Sequence, residues 1–538
     1  MNKPILRTDT SIGSVQAEED TTFLINCYVD NEALATVRDL SNSKMFVLGS
    51  TGCGKSALLQ MIEHHEEKAT FLDLDDMAMN YIANSDNIMF LKKIGVDLSF
   101  FFRYLWMHVM CIELLKMAKN FDEHDDRQST FFSRLFQGNS GNQKIFEDFV
   151  GSHKNQFWNT IDRTIIEETE KLEKKVEAEF GGEIHKAKTR AAYAKNLGKD
   201  KTEHFQERAK KFVNSALLSD LARIISAISS ELSNQSRKYF LLIDRIDEHW
   251  VDPELKNVLI HSLFEASKKM RKIRNFKPVI ALRNDVYEKM NLEHPPSKTQ
   301  LEKNEDYIVR IRWSKDQLWQ LVDTRINYLF RWKYTSENVH FFDVFKKSYS
   351  GKESSWNYIF ERTLMRPRDA IKFVNACFGV ATGKTEISKS DFSTAEGVYS
   401  EDRYEALIHE WEKVFPSAEV ILSLLKGRPK HFSASELMTS QLTEHLFYQV
   451  GYTEKTQSDP LWVKINSLVD GDNGDAHFAL GQEVLHRLHL MSAVGIKPDS
   501  STSWQWFHRS QKPISVDAID LQTKVNVHPM LWRKLSSA

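Results

Sequence analysis

Eight residues near the start of this chain constrain its fold more than any others. They are Gly49-Ser50-Thr51-Gly52-Cys53-Gly54-Lys55-Ser56, the pattern G-x-x-x-x-G-K-S. The apolar run Met45-Phe46-Val47-Leu48 leads into them and reads as a buried strand, and Ala57 to Glu63 follows as a helix. Strand, glycine-rich turn and helix form the setting in which this pattern cradles phosphate. The glycines let the backbone curl until several N–H groups point at one place. The helix N-terminus adds partial positive charge there. Residues 49–57, through Ala57, are therefore expected to wrap a triphosphate. Lys55 would reach the outer phosphates, and the Ser56 hydroxyl would ligate Mg²⁺. With Gly at about 7% of residues, the bare pattern arises by chance in roughly one chain of this length in fifty. The competing reading is a turn that caps a helix and binds nothing.

A chain of 538 residues is too long for one compact core, and about two to four domains are expected. The formal net charge is −2, which argues against a basic surface over the whole protein and leaves room for a local patch. Cys27, Cys53, Cys111 and Cys377 are scattered, without the spacing of a disulfide framework or a zinc site. Cys53, inside the glycine-rich loop, suits a reducing cytoplasm. The N-terminus lacks the apolar core of a signal peptide, and no run of 18 apolar residues predicts a membrane span. The most apolar long stretch, 96–117, carries Arg103, His108 and Glu113 and reads as a buried helix.

Further strands are predicted at 69–75, 238–244 and 278–282, and a helix at 31–40. Between about 83 and 235, apolar residues recur at helical spacing among dense charge, which predicts a large helical insertion. Within it, 163–215 reads as a hairpin turning at Gly181-Gly182. A solvated Lys/Glu face explains its composition, as does a coiled-coil arm. Residues 301–400 read as mainly helical. Residues 492–496 and 504–508 flank a turn, and this hairpin after a group of helices suggests a winged-helix-like module. The expected fold is α/β, a doubly wound parallel sheet of P-loop NTPase type with this insertion, a helical lid and the C-terminal module. The expected domains are a core at 1–82 and 236–300, the insertion at 83–235, the lid at 301–400 and the module at 401–538.

A phosphate loop needs a carboxylate partner across the sheet. Asp244 ends the apolar run Tyr239-Phe240-Leu241-Leu242-Ile243 and is the candidate Mg²⁺ carboxylate. Asp247 and Glu248 follow, and either could orient and deprotonate an attacking water, Glu248 foremost. Both also suit a helix N-cap and first turn. Arg283 or Asn284, just past the 278–282 strand, would sense the outer phosphate, unless the turn is merely capped by Asn284 or Asp285. Arg366 or Arg368, beside Pro367 at a helix start, could reach the nucleotide from the lid. A surface pair with Asp369 is the alternative.

LLIDRIDEHW at 241–250 resembles the second acidic motif of STAND-type and KAP-type NTPases, which are AAA+-related. The whole chain resembles a group of bacterial P-loop ATPases through IGSVQAEED at 12–20, GSTGCGKS at 49–56, FFRYLWMHV at 101–109, IALRNDVYEKM at 280–290, RWSKDQLWQLVDTRI at 312–326, RPRDAIKF at 366–373 and VHPMLWRKL at 527–535. The resemblance implies ATP and Mg²⁺ as ligands and a setting in mobile-element or antiphage-defence loci. It implies Lys55 and Ser56 as phosphate and Mg²⁺ ligands, Asp244 as the Mg²⁺ carboxylate, Asp247 and Glu248 as catalytic acids and Arg366 or Arg368 as a lid arginine. STAND proteins more often carry Gly after the first acid, where this chain has Arg245.

The resulting expectation is an ATP-hydrolysing switch or assembly ATPase in the cytoplasm. It would form a homo-oligomer, act on a partner effector protein and have no membrane association. A nucleic-acid-binding regulator is the alternative, with Lys426, Arg428, Lys430 and Arg487 available to phosphates. An ABC/SMC-like ATPase fits less well, because the nearest approach to its signature is Asn139-Ser140-Gly141-Asn142-Gln143.

Overall fold

The computed structural model describes residues 5–74, 92, 97–119, 225–230, 232, 236–246, 253–293, 298–333, 337–350, 353–452, 454–469, 474–499 and 501–536. Most of the expected insertion, its 163–215 hairpin, Asn139–Gln143, Asp247 and Glu248 lie outside these residues. The chain divides into two compact units. One comprises Glu32–Ser50 and Lys55–Ile311; the other comprises Met1–Asn31, Thr51–Gly54 and Arg312–Ala538.

The first unit is built on five strands: β1 (Phe46–Gly49), β2 (Ala69–Phe71), β3 (Tyr239–Ile243), β4 (Phe276–Arg283) and β5 (Ile308–Arg310). They pair in the order β2-β3-β4-β1-β5, every pair parallel. A parallel sheet needs apolar side chains on both faces. Accordingly β1 and β3 are buried at every residue, and β4 is buried throughout except at Arg283. Burying Phe46, Val47 and Leu48 contributes about 1.5–3 kcal/mol each. That outweighs the roughly 0.5–1 kcal/mol that Gly49 costs as a strand residue.

Around the sheet pack α1 (Ala33–Arg38), α2 (Lys55–His65), α3 (Ser99–Lys119), α4 (Pro253–Met270) and α5 (Asn284–Glu293). As expected, most of the apolar stretch at 96–117 folds as a buried helix, α3. Its Trp106 is fully buried and donates Nε1–H to the Leu259 carbonyl on α4 at 3.0 Å. Phe46 of β1 stacks on Phe264 of α4 with ring centroids 4.0 Å apart. No helix among the described residues is long and apolar enough to cross a membrane. The strand β5 departs from the helical expectation for 301–400. Three residues, Ile-Val-Arg, carry no periodicity of their own, and their pairing with Phe46–Leu48 makes them a strand.

The second unit is mainly helical. Its first layer contains α6 (Lys315–Lys333), α7 (Pro367–Val380) and α8 (Lys389–Trp411), with the short helix Thr21–Cys27 against α6. A small antiparallel pair, β6 (Ser348–Ser350) and β7 (Glu353–Ser354), lies between α6 and α7 in the chain. The helix α7 begins with Pro367 at its first position, where a missing N–H costs nothing. Then come α9 (Ala418–Ser423), β8 (His431–Ser433), α10 (Ser440–Val450), α11 (Gly474–Leu490), β9 (Val494–Lys497), β10 (Lys524–Val527) and α12 (Trp532–Leu535).

The three late strands form an antiparallel sheet in the order β8-β10-β9. The expected hairpin between 492–496 and 504–508 is reduced to one bridge, Ile496 to Gln505, and Phe507–Ser510 is a helical turn. The physical reason lies at Gly495: a Cβ there would come within 2.5 Å of Trp506, so the indole covers the strand instead of extending a ladder beside it.

Candidate functional site

The glycine-rich loop joins β1 to α2. Gly52 and Gly54 have φ of 76° and 99°, the left-handed region that glycine enters without a Cβ clash. The Lys55 ammonium folds back over the loop and donates to the carbonyl oxygens of Gly49 at 3.1 Å and Ser50 at 3.0 Å. Ser56 and Ala57 open the helix α2 and are half-buried. Cys53 is buried and not in a disulfide.

The loop carbonyls that follow face donors of the helical unit. The Arg366 guanidinium donates Nη1–H to Thr51 O at 2.9 Å. The Arg368 backbone N–H lies 3.4 Å from Gly52 O. The Trp313 indole donates Nε1–H to Cys53 O at 2.7 Å.

Arg366 is not a surface residue paired loosely with Asp369. It is buried and bound to Asp369 through Nε at 3.0 Å and Nη2 at 3.3 Å, and to Glu410 through Nη1 at 3.2 Å. Arg403 completes a ring of charges, 3.4 Å from Asp369 and 3.5 Å from Glu410. Burial works against charge on Arg366, Asp369 and Glu410. For Arg366, Asp369 and Glu410 outweigh burial and hold the guanidinium above its ordinary range. Arg366 and Arg403 likewise hold the carboxyls of Asp369 and Glu410 below theirs. Burial, with Arg366 nearby, lowers the Arg368 guanidinium. The Arg368 stem lies against Gly52, and its Nε is buried without a hydrogen-bond partner.

At the strand tips, Asp244 follows β3 and is half-buried, its Oδ1 accepting the Arg245 N–H at 2.9 Å. Arg245 has φ of 56°. A residue with a Cβ is disfavoured in that conformation by about 1–2 kcal/mol. Arg283 ends β4 and grips Asp285 with two hydrogen bonds, at 2.9 and 2.7 Å. Asn284 opens α5, and its side-chain oxygen is buried with no hydrogen-bond partner. Register sets Gly49 abreast of Arg283 on the neighbouring strand.

Sequence reasoning missed Trp313, Arg403 and Glu410. Trp313 follows a strand too short to read. Arg403 and Glu410 are seven apart on one helix, a same-face spacing that only points to Arg366 once α7 and α8 are packed together.

Of the four C-terminal cations named above, Arg487, Arg428 and Lys430 have partners within the protein. Arg487 is buried between Asp459 at 2.6 Å and Glu483 at 2.9 Å. Arg428 pairs with Glu436 and lies over Phe432, and Lys430 sits 4.7 Å from the Trp532 ring centre. Lys426 is exposed.

Two likenesses to known proteins bear on this region. Residues 316–408, spanning α6 to most of α8, match the FunZ-associated C-terminal helical domain. Over 547 aligned residues the chain is 21% identical to the putative transposon gamma-delta 80.3 kDa protein of Escherichia coli (strain K12), taking in 100% of this chain and 68% of that one.

Proposed function

We propose that this chain binds ATP with Mg²⁺ and hydrolyses it, working as a switch or assembly ATPase for a partner protein in a mobile-element or defence setting. The observation that carries the reading is the strand order β3-β4-β1 in a parallel sheet. The phosphate loop follows β1, Asn284 follows β4 and Asp244 follows β3, all at the carboxyl edge where α/β sheets bind ligands. Two strand spacings of about 4.8 Å separate β1 from β3, roughly 10 Å. A triphosphate with its hydrated cation can bridge such a gap. The same features favour a P-loop NTPase fold over a turn that binds nothing.

The side chains fit the ligands. The loop has no Cβ at its two left-handed positions, Gly52 and Gly54, and the Asn284 oxygen is a buried acceptor without a partner. Among the described residues no three His, Cys, Asp or Glu side chains gather as a metal cluster. Mg²⁺ held by phosphate oxygens, water, Ser56 and Asp244 requires none, and when bound it would neutralise charge on the phosphates. Lys55 would exchange its two loop carbonyls for phosphate oxygens. Glu248 would take the proton of the attacking water, with Asp247 beside it, and Asn284 would orient the outer phosphate.

The mobile-element setting is supported by the transposon-associated relative and by the FunZ-associated helical match. A homo-oligomer and an effector partner complete the proposal.

ATPase activity of the purified chain tests it, beside Lys55→Ala and Glu248→Gln. Lys55→Ala should lose ATP binding, and Glu248→Gln should bind ATP and retain it unhydrolysed. Turnover at the parental rate in both variants would refute these roles.

A nucleotide-controlled nucleic-acid regulator is the second reading. Along the chain α9, β8, α10, a further helix Pro460–Val469, α11, β9 and β10 follow one another, and β10 pairs between β8 and β9, which favours a winged-helix-like module. The internal pairing of Arg487, Arg428 and Lys430 weighs against phosphate contacts there. A salt-sensitive DNA shift by the full chain would revive it.

A further inference from the structure

The phosphate loop has a back as well as a front. In a trans peptide, the carbonyl of one residue and the N–H of the next point in opposite directions across one rigid plane. A donor that fixes a carbonyl on one side therefore aims the following amide to the other. Three consecutive loop carbonyls, Thr51, Gly52 and Cys53, face Arg366 Nη1, the Arg368 N–H and Trp313 Nε1 at 2.9, 3.4 and 2.7 Å. The amides turned the opposite way are those of Gly52, Cys53 and Gly54, the donors a phosphate needs.

We propose that Trp313 and Arg366 are positioning residues that clamp the loop from behind and aim its amides at phosphate, and that Arg366 does not itself touch the nucleotide. The proposal rests on the ATP-binding reading above.

Arg366 has little left to offer a phosphate. Its Nε and Nη2 are bound to Asp369, and its Nη1 is shared by Thr51 and Glu410. Arg403 holds the same two carboxylates from α8. The clamp is thereby tied to α8, and α8 in turn carries α12 of the C-terminal module. Arg533 bonds Glu396 and Ser393, and the Lys534 N–H donates to Ser400. A loop that relaxes when the nucleotide leaves slackens the clamp, and α8 passes that change to the module.

Trp313 supplies the cleanest test. Trp313→Phe keeps an aromatic ring in place and removes the N–H that holds Cys53 O, together with part of the indole. Binding of the fluorescent analogue mant-ATP with Mg²⁺, steady-state ATPase rates and thermal melting are measured on the full chain. Losing one such hydrogen bond should weaken mant-ATP binding and raise KM about fivefold. A change in positioning that weakens ground and transition states equally leaves kcat within about twofold. Melting should move by about 2 °C or less. Should the Phe variant melt much earlier, the same kcat-against-KM split is read on Arg366→Lys.

Parental KM and mant-ATP affinity in both variants would overturn the clamp. So would loss of kcat at unchanged KM in Arg366→Lys, the mark of contact with the reacting phosphate. No mant-ATP binding by the unaltered chain would instead bring down the ATP reading itself, and the clamp with it.

Discussion

Asp20 and Arg325, 305 positions apart in the chain, meet at 2.6 Å as a buried ion pair. The pair fastens an N-terminal segment to α6. Arg325 also donates to Ile12 O at 2.9 Å, and Asp20 accepts the Ser14 N–H at 2.8 Å. From α7, Asn375 accepts the Ile12 N–H and donates to Gly13 O, both at 2.9 Å. Gly13 has φ of 108° and lies so close to both charged groups that a Cβ would collide with them.

Removing one partner of such a pair strands a buried charge, which costs about 3–5 kcal/mol, more than the pair contributes when intact. Arg325→Met should therefore lower the melting temperature of the helical unit strongly. The double variant Arg325→Met/Asp20→Asn should lose clearly less than the sum of the two single changes. Thermal melts of the four proteins check this, and strict additivity would show that the pair is not coupled.

Gly52→Ala should damage the loop in two ways. The left-handed backbone costs about 1–2 kcal/mol with a Cβ, and that Cβ would come within 2.8 Å of the Arg368 Cβ. At Gly54 the nearest atom, on Trp313, is 3.9 Å away, so only the backbone penalty applies. Nucleotide affinity should fall further in Gly52→Ala than in Gly54→Ala. Equal losses would mean that the contact with Arg368 is immaterial.

The C-terminal module should weaken in mild acid. Burial pushes the His489 imidazole down to about 4, and burial with His508 nearby lowers His528 as well. A histidine whose folded pKa lies below its unfolded value of about 6.5 binds fewer protons folded than unfolded. Its stabilising contribution is intact above pH of about 6.5 and is lost as pH falls toward the folded pKa, by up to about 1.4 kcal/mol per pH unit per group. Melting temperature should thus drop between pH 6.5 and 4.5. His489→Phe, which keeps a ring beside Phe507, should flatten that drop. An unchanged slope would exclude His489 as a source.

Asp244→Asn should leave melting within about 2 °C, because this half-buried carboxylate bonds only a neighbouring amide among its described contacts. Mg²⁺-dependent ATPase activity should fall by at least about a hundredfold if the carboxylate helps hold the metal. Full activity at saturating Mg²⁺ would remove Asp244 from the proposed site.

What could be read from the sequence follows from how local each signal is. The strands β1 and β3 are continuous apolar runs, β4 contains one at 278–282, and the loop after β1 is defined by two glycines and a lysine, so these parts were legible. The strand β5 is not, because three residues become a strand only by pairing with β1. Nor is the ladder between β9 and β10, whose halves are separated by 26 intervening residues. Asp369, one turn away, is a legible partner of Arg366, whereas Glu410, and Arg403 beside it, arrive from another helix. Arg487 misled in the other direction, since a cationic side chain gives no hint that Asp459, from a distant part of the chain, will join Glu483 in enclosing it.

The placing of β10 bears on how this protein comes to be made. The strand holding β8 and β9 together is translated after both of them. A nascent chain must keep β8 waiting for about ninety residues, roughly five to twenty seconds at ordinary ribosomal rates. Until Lys524–Val527 emerges, two unpaired edges stand open to the ribosome's surroundings. Shortening the tail to before Lys524 should therefore yield a product that chaperones retain or that precipitates, rather than a smaller working version.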